Sequence, residues 1–254
     1  MASSLRSLWP DKHGVDLHGR KPGESGGAPV KAVPPAKVSP IKSPVPLSAR
    51  SAKIEALLKS GAAPQHAVLQ VQQDATANAA KVKAMGSGSQ LNRAVTEYAE
   101  TPTQDLDVLT GIEVHSTPVQ GKAHCTWERK VVMGSTSVTG DFRHELGHAI
   151  HMSLSPALQE HVKALHAEAL SRAMKTPAGK QQQMTHEWYE KTYGIIGRRA
   201  LDNWHEDFAE HYRGYAKAVY QVKHNADPQA LNRYTELHPK WSRFWDAYYA
   251  GGTA

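Results

Sequence analysis

The sequence predicts a mostly helical α+β protein, and three observations carry the prediction. Apolar residues recur at helical spacing almost continuously from Thr139 onward. Just ahead of them, around 110–135, lie short β-branched segments separated by turn residues. No stretch approaches the roughly 18 to 20 apolar residues of a membrane-spanning helix. The expected architecture is a small β-sheet, then a helix bearing a His-Glu-x-x-His motif, then a helical C-terminal lobe.

Residues 1–50 read as a disordered, basic, Pro-rich arm. Eight Lys and Arg stand there against Asp11, Asp16 and Glu24, so a net +5 of the chain's +6 belongs to the arm. Seven prolines between residues 18 and 50 leave too little apolar surface to offset the entropy of ordering. The arm is expected to be a solvated leader or linker, with contact to an acidic partner as the functional alternative. Its cations are spaced out and no aromatics interleave to stack bases, and the rest of the chain carries only +1, which disfavours nucleic-acid binding. The start, MASSLRSLWPDKHG, has no apolar core of a secretory signal. With no signal peptide and no membrane span, a cytoplasmic or virion-associated location is expected. Cys125 is the only cysteine, so no internal disulfide and no thiolate zinc cluster can form.

A helical N-terminal region is expected over 51–101. A short helix ends at a Gly61 to Pro64 break, and a longer Ala/Gln-rich helix follows to about 85. Ile54, Leu57 and Leu58, then Val68, Val71 and Ala75, fall at helical spacing and read as core residues. After GSGS (86–89) a third helix covers 90–100, and Pro102 breaks it. The main domain is expected over 102–254. Its strands lie near 110–117, 123–128 and 130–135, the last two as a hairpin. Helices follow at about 139–153, 156–175, 181–193, 202–222, 227–237 and 240–249.

The stretch GDFRHELGHAIH (140–151) holds the motif, as His144, Glu145 and His148. With 15 histidines in the chain it arises by accident in about one such sequence in twenty. Helix geometry gives it chemical sense. Residues four apart differ by about 40° around the axis, so His144 and His148 can reach one zinc ion. Glu145, about 100° round from His144, is better placed as a base for water than as a ligand. Thr139 can cap this helix, and Asp141 puts a negative charge in its first turn. Phe142, Leu146, Ala149 and Ile150 form an apolar stripe, and Gly147 marks a close approach of another element or of a substrate. Spacing sets His151 aside as a residue of the surface or of the layer behind the ligands.

Catalytic zinc needs a third protein ligand. The best source is ALDNWHEDFAEHYRGY (200–215), where Glu206 and Glu210 repeat the i, i+4 pattern. One carboxylate can hold the metal while the other fixes a ligating imidazole by a hydrogen bond. His205, Asp207 and His211 are rival ligands, and a solvated acidic face is the bland reading.

HELGHA followed by a helix of the form ExFAE resembles the gluzincin branch of zinc metallopeptidases. From Thr139 to the end, the order is similar to the lethal-factor-type catalytic domain and to related peptidases of phages and mobile elements. The resemblance implies a zincin-like domain with His144, His148 and Glu206 as zinc ligands. It further implies Glu145 as catalytic base and Glu210 as the carboxylate behind the ligands. LHPKWSRFWDAYY (237–249) is similar to the aromatic final helix that packs behind such sites. The family's oxyanion tyrosine corresponds to Tyr193, thirteen residues ahead of Glu206 and thus farther away than the family pattern; Tyr189 and His186 are substitutes.

The leading function is therefore a zinc metalloendopeptidase with Zn2+ as cofactor and a protein or peptide as substrate. The alternative is a structural or virion-associated delivery protein whose zincin fold is zinc-stapled or inactive. Glu145 argues against a pure staple, because a closed structural site needs no unligated base.

Overall fold

The computed structural model describes residues 47–71, 74–118, 123–174, 196 and 199–252, all within one compact unit, Pro44–Ala254. Residues 1–46 of the expected arm and the expected helix at 181–193, with Tyr193, Tyr189 and His186, lie outside the described residues. Among the described residues no helix is long and apolar enough to cross a membrane.

Helix α1 is Leu47–Ser60 and begins inside the segment read as arm. Arg50 explains the early start. It is buried, its guanidinium lies 4.3 Å from the centre of the Tyr248 ring, and Asp105 raises its pKa alongside Tyr248. Asp105 in turn accepts hydrogen bonds from Tyr212 at 3.0 Å and Tyr249 at 2.8 Å. Burial still pushes that carboxyl up to about 6.

The long helix expected after Pro64 is broken in two. A single 3-10 turn, Ala67–Gln70, runs into an extended Val71, and α2 starts afresh at Ala75–Met85. Asp74 supplies the reason, since its side chain accepts the Ala77 N–H at 2.9 Å and caps the new helix. GSGS also does more than separate helices: Gly86–Ser87 is a strand, β1. Gly88 has φ +96°, and a Cβ there would meet the Val114 carbonyl oxygen at 2.0 Å, so only glycine fits. Helices α3, Leu91–Tyr98, and α4, Thr103–Leu106, follow.

Strands β2, Gly111–Val114, β3, His124–Cys125, and β4, Lys130–Met133, complete a four-stranded mixed sheet in the order β1-β2-β4-β3. β1 and β4 run parallel to β2, and β3 pairs antiparallel to β4 as the expected hairpin. Its turn is closed by Arg129 N–H donating to Thr126 O at 2.8 Å, with Arg129 at φ 63°. Ile112, Val114, Val131 and Met133 are buried and give the sheet its packed side.

Most of the remaining described residues are helical: α5 Thr139–Ser153, α6 Pro156–Met174, a 3-10 turn Arg199–Leu201, α7 Trp204–Lys223, α8 Ala230–Leu237 and α9 Pro239–Gly252. Thr139 is not the cap of α5. Val138 holds that position, and Asp141 reaches back to accept its N–H at 3.1 Å. The apolar stripe is in place, with Phe142, Leu146, Ala149 and Ile150 all buried. Behind α7, Trp245 of α9 packs on Phe208, Tyr212 and Tyr215 with ring centres 5.0 to 5.7 Å apart. Such aromatic contacts bury large areas and hold α7 rigidly against its neighbours.

Candidate metal centre

The site forms where α5 crosses α7. Gly147 makes the crossing close: a Cβ there would lie 2.8 Å from the Ala209 Cα and 3.2 Å from the Tyr212 Cβ. Packing thus explains Gly147. The crossing brings Glu206 and Glu210, which lie on either side of Ala209 in sequence, to the histidines of α5. Asn203 fixes the start of α7, its side chain accepting the N–H groups of His205 at 2.9 Å and Glu206 at 3.0 Å.

Among the described residues, His144, His148 and Glu206 are the one group of three or more His, Cys, Asp or Glu whose ligand atoms gather closely enough for a metal ion. His144 Nε2 lies 3.1 Å from His148 Nε2 and 3.2 Å from Glu206 Oε2, and His148 Nε2 lies 3.6 Å from Glu206 Oε1. A tetrahedral ion with bonds of about 2.0 to 2.1 Å sets its ligand atoms roughly 3.3 to 3.4 Å apart. The two imidazole nitrogens lie near that value, each has a different Glu206 oxygen at 3.2 or 3.6 Å, and one ligand atom from each of the three residues lies within 4.8 Å of the others, so the donor set could hold a metal ion. Among the described residues the group is partly exposed, Glu206 22% at its side chain and His148 19%.

The electrostatics favour a positive charge in the group. Burial pushes His144 down, but hydrogen bonding to Glu206 and Glu210 outweighs it and raises the imidazole to about 9. Glu206, held by His144, falls to about 2. Burial and the neighbouring charge of His144 lower His148 to about 4, which leaves its lone pair free near neutrality. A proton on His144 is held by these two carboxylates, and Glu206 is the one that would hold a metal in its place.

Glu210 sits behind the group. Its Oε1 is 3.2 Å from His144 Nδ1, and it also pairs with Arg213, so it orients the ring that faces the other ligand atoms. Glu145, one residue on from His144, lies close enough to His144, Arg199 and Glu206 for their charges to act on its carboxyl. It is almost fully buried and takes a backbone hydrogen bond from Cys125 on the edge strand β3. Burial raises its carboxyl to about 7. The thiol of Cys125, pushed up to about 12 by burial and by Glu145, stays protonated.

The rival ligands go elsewhere. His205 Nδ1 lies 3.2 Å from His151 Nδ1, away from the gathered group. His151 is not a surface residue: Trp204, His205 and Phe208 of α7 cover it and leave it 2% exposed. Spacing along α5 could not foresee a second helix lying over it. Asp207 faces His166 and His211 in the core. Arg199 was missed by the sequence reading. Its Nη1 is 3.5 Å from His144 Nε2 and its Nε 3.6 Å from Glu206 Oε2. The only signal was a pair of arginines in GRRALDNWHED, and spacing does not say which of them turns toward the groove.

No family model, curated protein or solved structure matches the chain.

Proposed function

We propose that the chain is a zinc-dependent metallopeptidase acting on a protein or peptide, with His144, His148 and Glu206 as ligands. The observation that carries this reading is the convergence of His144, His148 and Glu206, one ligand atom from each lying within 4.8 Å of the others, with Glu145 one position along the helix from His144. Zinc held there would bring the pKa of water toward 7 and polarise a carbonyl.

Every other role falls to the chain's own residues. Glu145, with its carboxyl raised to about 7, is matched to taking a proton from water and returning it to a leaving amine near neutrality. Glu210 holds the His144 ring, and the β3 backbone at Cys125 holds Glu145. An oxyanion developing on the carbonyl needs a donor, which the gluzincin resemblance assigns to Tyr193.

The test measures zinc per chain in the purified protein and in His144→Ala, then peptide-library hydrolysis by the parent and by Glu145→Gln. The expected result is stoichiometric zinc in the parent, none in His144→Ala, and cleavage that Glu145→Gln abolishes. Stoichiometric zinc with no Glu145-dependent cleavage would leave a zinc-stapled structural protein. A parent without zinc affinity would dismiss the metal centre itself.

A further inference from the structure

Arg199 stands in the groove with no role in the motifs. Its neighbour Ala200 is fully buried and anchors the 3-10 turn on the body, while the Arg199 side chain is 46% exposed. The guanidinium therefore reaches the groove from the solvent side. At 3.5 Å from His144 Nε2 and 3.6 Å from Glu206 Oε2 it approaches two of the three gathered ligand atoms, too loosely for a tight structural ion pair.

Arginine stays charged at every physiological pH, which decides when this contact is favourable. In the metal-free chain the Glu206 carboxylate attracts it. With a divalent cation among the ligands, the guanidinium faces like charge at short range and Glu206 is already neutralised. Only new negative charge in the groove draws it back. A group attracted more strongly to the transition state than to the resting site is what catalysis requires.

Resting on the metallopeptidase reading above, we infer that Arg199 is a catalytic residue that donates to the oxyanion forming on the scissile carbonyl. Water's oxygen bonds to the carbonyl carbon while its proton passes to Glu145. The carbonyl π pair moves onto the carbonyl oxygen, where Arg199 meets it with N–H groups that are already charged and lose no proton. The pair then returns, the C–N bond breaks, and Glu145 delivers its proton to the leaving nitrogen.

The experiment uses the full chain with Arg199→Gln and Arg199→Lys, each checked for parental melting, and three readouts. In Arg199→Gln, kcat on a cleaved peptide falls about 100-fold, as for loss of one oxyanion donor, with KM changed less than about threefold. Arg199→Lys recovers part of that loss. Binding of a phosphonamidate peptide, a tetrahedral anion, to the zinc-loaded chain weakens in parallel with kcat. Zinc affinity of the metal-free chain rises in Arg199→Gln, because a competing cation has been removed. Parental kcat and parental phosphonamidate affinity in Arg199→Gln would overturn the inference and leave the peptidase reading intact. A parent that binds zinc but cleaves nothing fails the peptidase reading and this inference with it. A parent that binds no zinc fails both.

Discussion

Helix α7 carries two clusters of histidine and carboxylate that start one residue apart, and their surroundings give them opposite characters. Glu206 faces His144 and His148 across the α5 crossing, its two oxygens 3.2 and 3.6 Å from their Nε2 atoms, and its side chain is partly exposed. Asp207, turned about 100° further round the helix, faces the core. Its Oδ2 lies 3.1 Å from His166 Nδ1 and its Oδ1 3.4 Å from His211 Nε2, and His211 Nδ1 lies 3.0 Å from the Tyr234 hydroxyl. Burial raises Asp207, and hydrogen bonding to His166 offsets part of the rise. Each cluster sets one carboxylate against two histidines. What separates them is whether their nitrogen and oxygen atoms are used on one another or converge on a shared, partly exposed point.

The largest effect that could break this contrast comes from exchanging the outcomes of two alanine variants. Asp207→Ala is expected to lose roughly 1 to 3 kcal/mol of stability, because the buried ring nitrogens of His166 and His211 that face it lose their partner. Its folded fraction should still bind zinc. Glu206→Ala should bind no stoichiometric zinc. Chemical denaturation with zinc analysis reads both, and a reversal would mean that the closed cluster is the metal centre.

A second contrast concerns where buried charge is uncomfortable. The Glu145 carboxyl has its pKa raised from 4.5 to about 7, chiefly by burial. The folded chain therefore binds this proton more tightly than the unfolded chain does. The stability it contributes is complete below about pH 4.5 and is lost as pH rises through 7. Glu145→Gln removes the ionisable group, so the metal-free variant should match the parent near pH 4.5 and be more stable above pH 7, by up to roughly 3 kcal/mol. It should also be inactive. Melting curves from pH 4 to 8 without metal check the first part; equal pH dependence in both chains would show that Glu145 ionises without penalty.

Much of this contrast could be read from the sequence, and the unread part has physical causes. The i, i+4 pairs His144/His148 and Glu206/Glu210 are local, so helix periodicity suffices to place each pair on one face. The apolar stripe Phe142, Leu146, Ala149 and Ile150 is local for the same reason. Which of Glu206, Asp207, His205 and His211 meets the histidines depends on how α7 rolls over α5, and that is set by the Gly147–Ala209 contact, more than sixty residues apart. His151 could not be placed for the same reason, since its cover comes from Trp204 and Phe208. Strand β1 was hidden because GS has no β-branched residue and gains its pairing from β2 alone. Arg199 reaches the groove only through a short 3-10 turn, which leaves no periodic signal.

Glu210→Gln gives a smaller effect within the open cluster. The amide can still accept from His144 Nδ1, but its negative charge is lost, and Arg213 loses its ionic partner. Zinc affinity should fall about 10- to 100-fold, the range for groups that orient metal ligands, while folding is nearly unchanged. Isothermal titration with zinc reads the change. Parental affinity would show that the charge of Glu210 does not support the site.

Gly147→Ala tests the crossing that creates the contrast. Helix propensity favours alanine by about 1 kcal/mol, and overpacking a fixed crossing costs about 1 to 3. The added methyl would meet the Ala209 Cα at 2.8 Å, an atom of the helix backbone, so relief requires α7 to move outward as a body. A net loss of about 1 kcal/mol is expected, because the steric cost exceeds the propensity gain. The two clusters should feel that movement unequally. Glu206 is carried away from His144 and His148 on the other helix, whereas Asp207 and His211 travel together on α7. Zinc affinity should therefore fall by more than the stability loss alone predicts. A variant that loses stability yet keeps parental zinc affinity would mean that the three ligands can close over an ion from a wider groove, and that the spacing seen here is not what selects the metal.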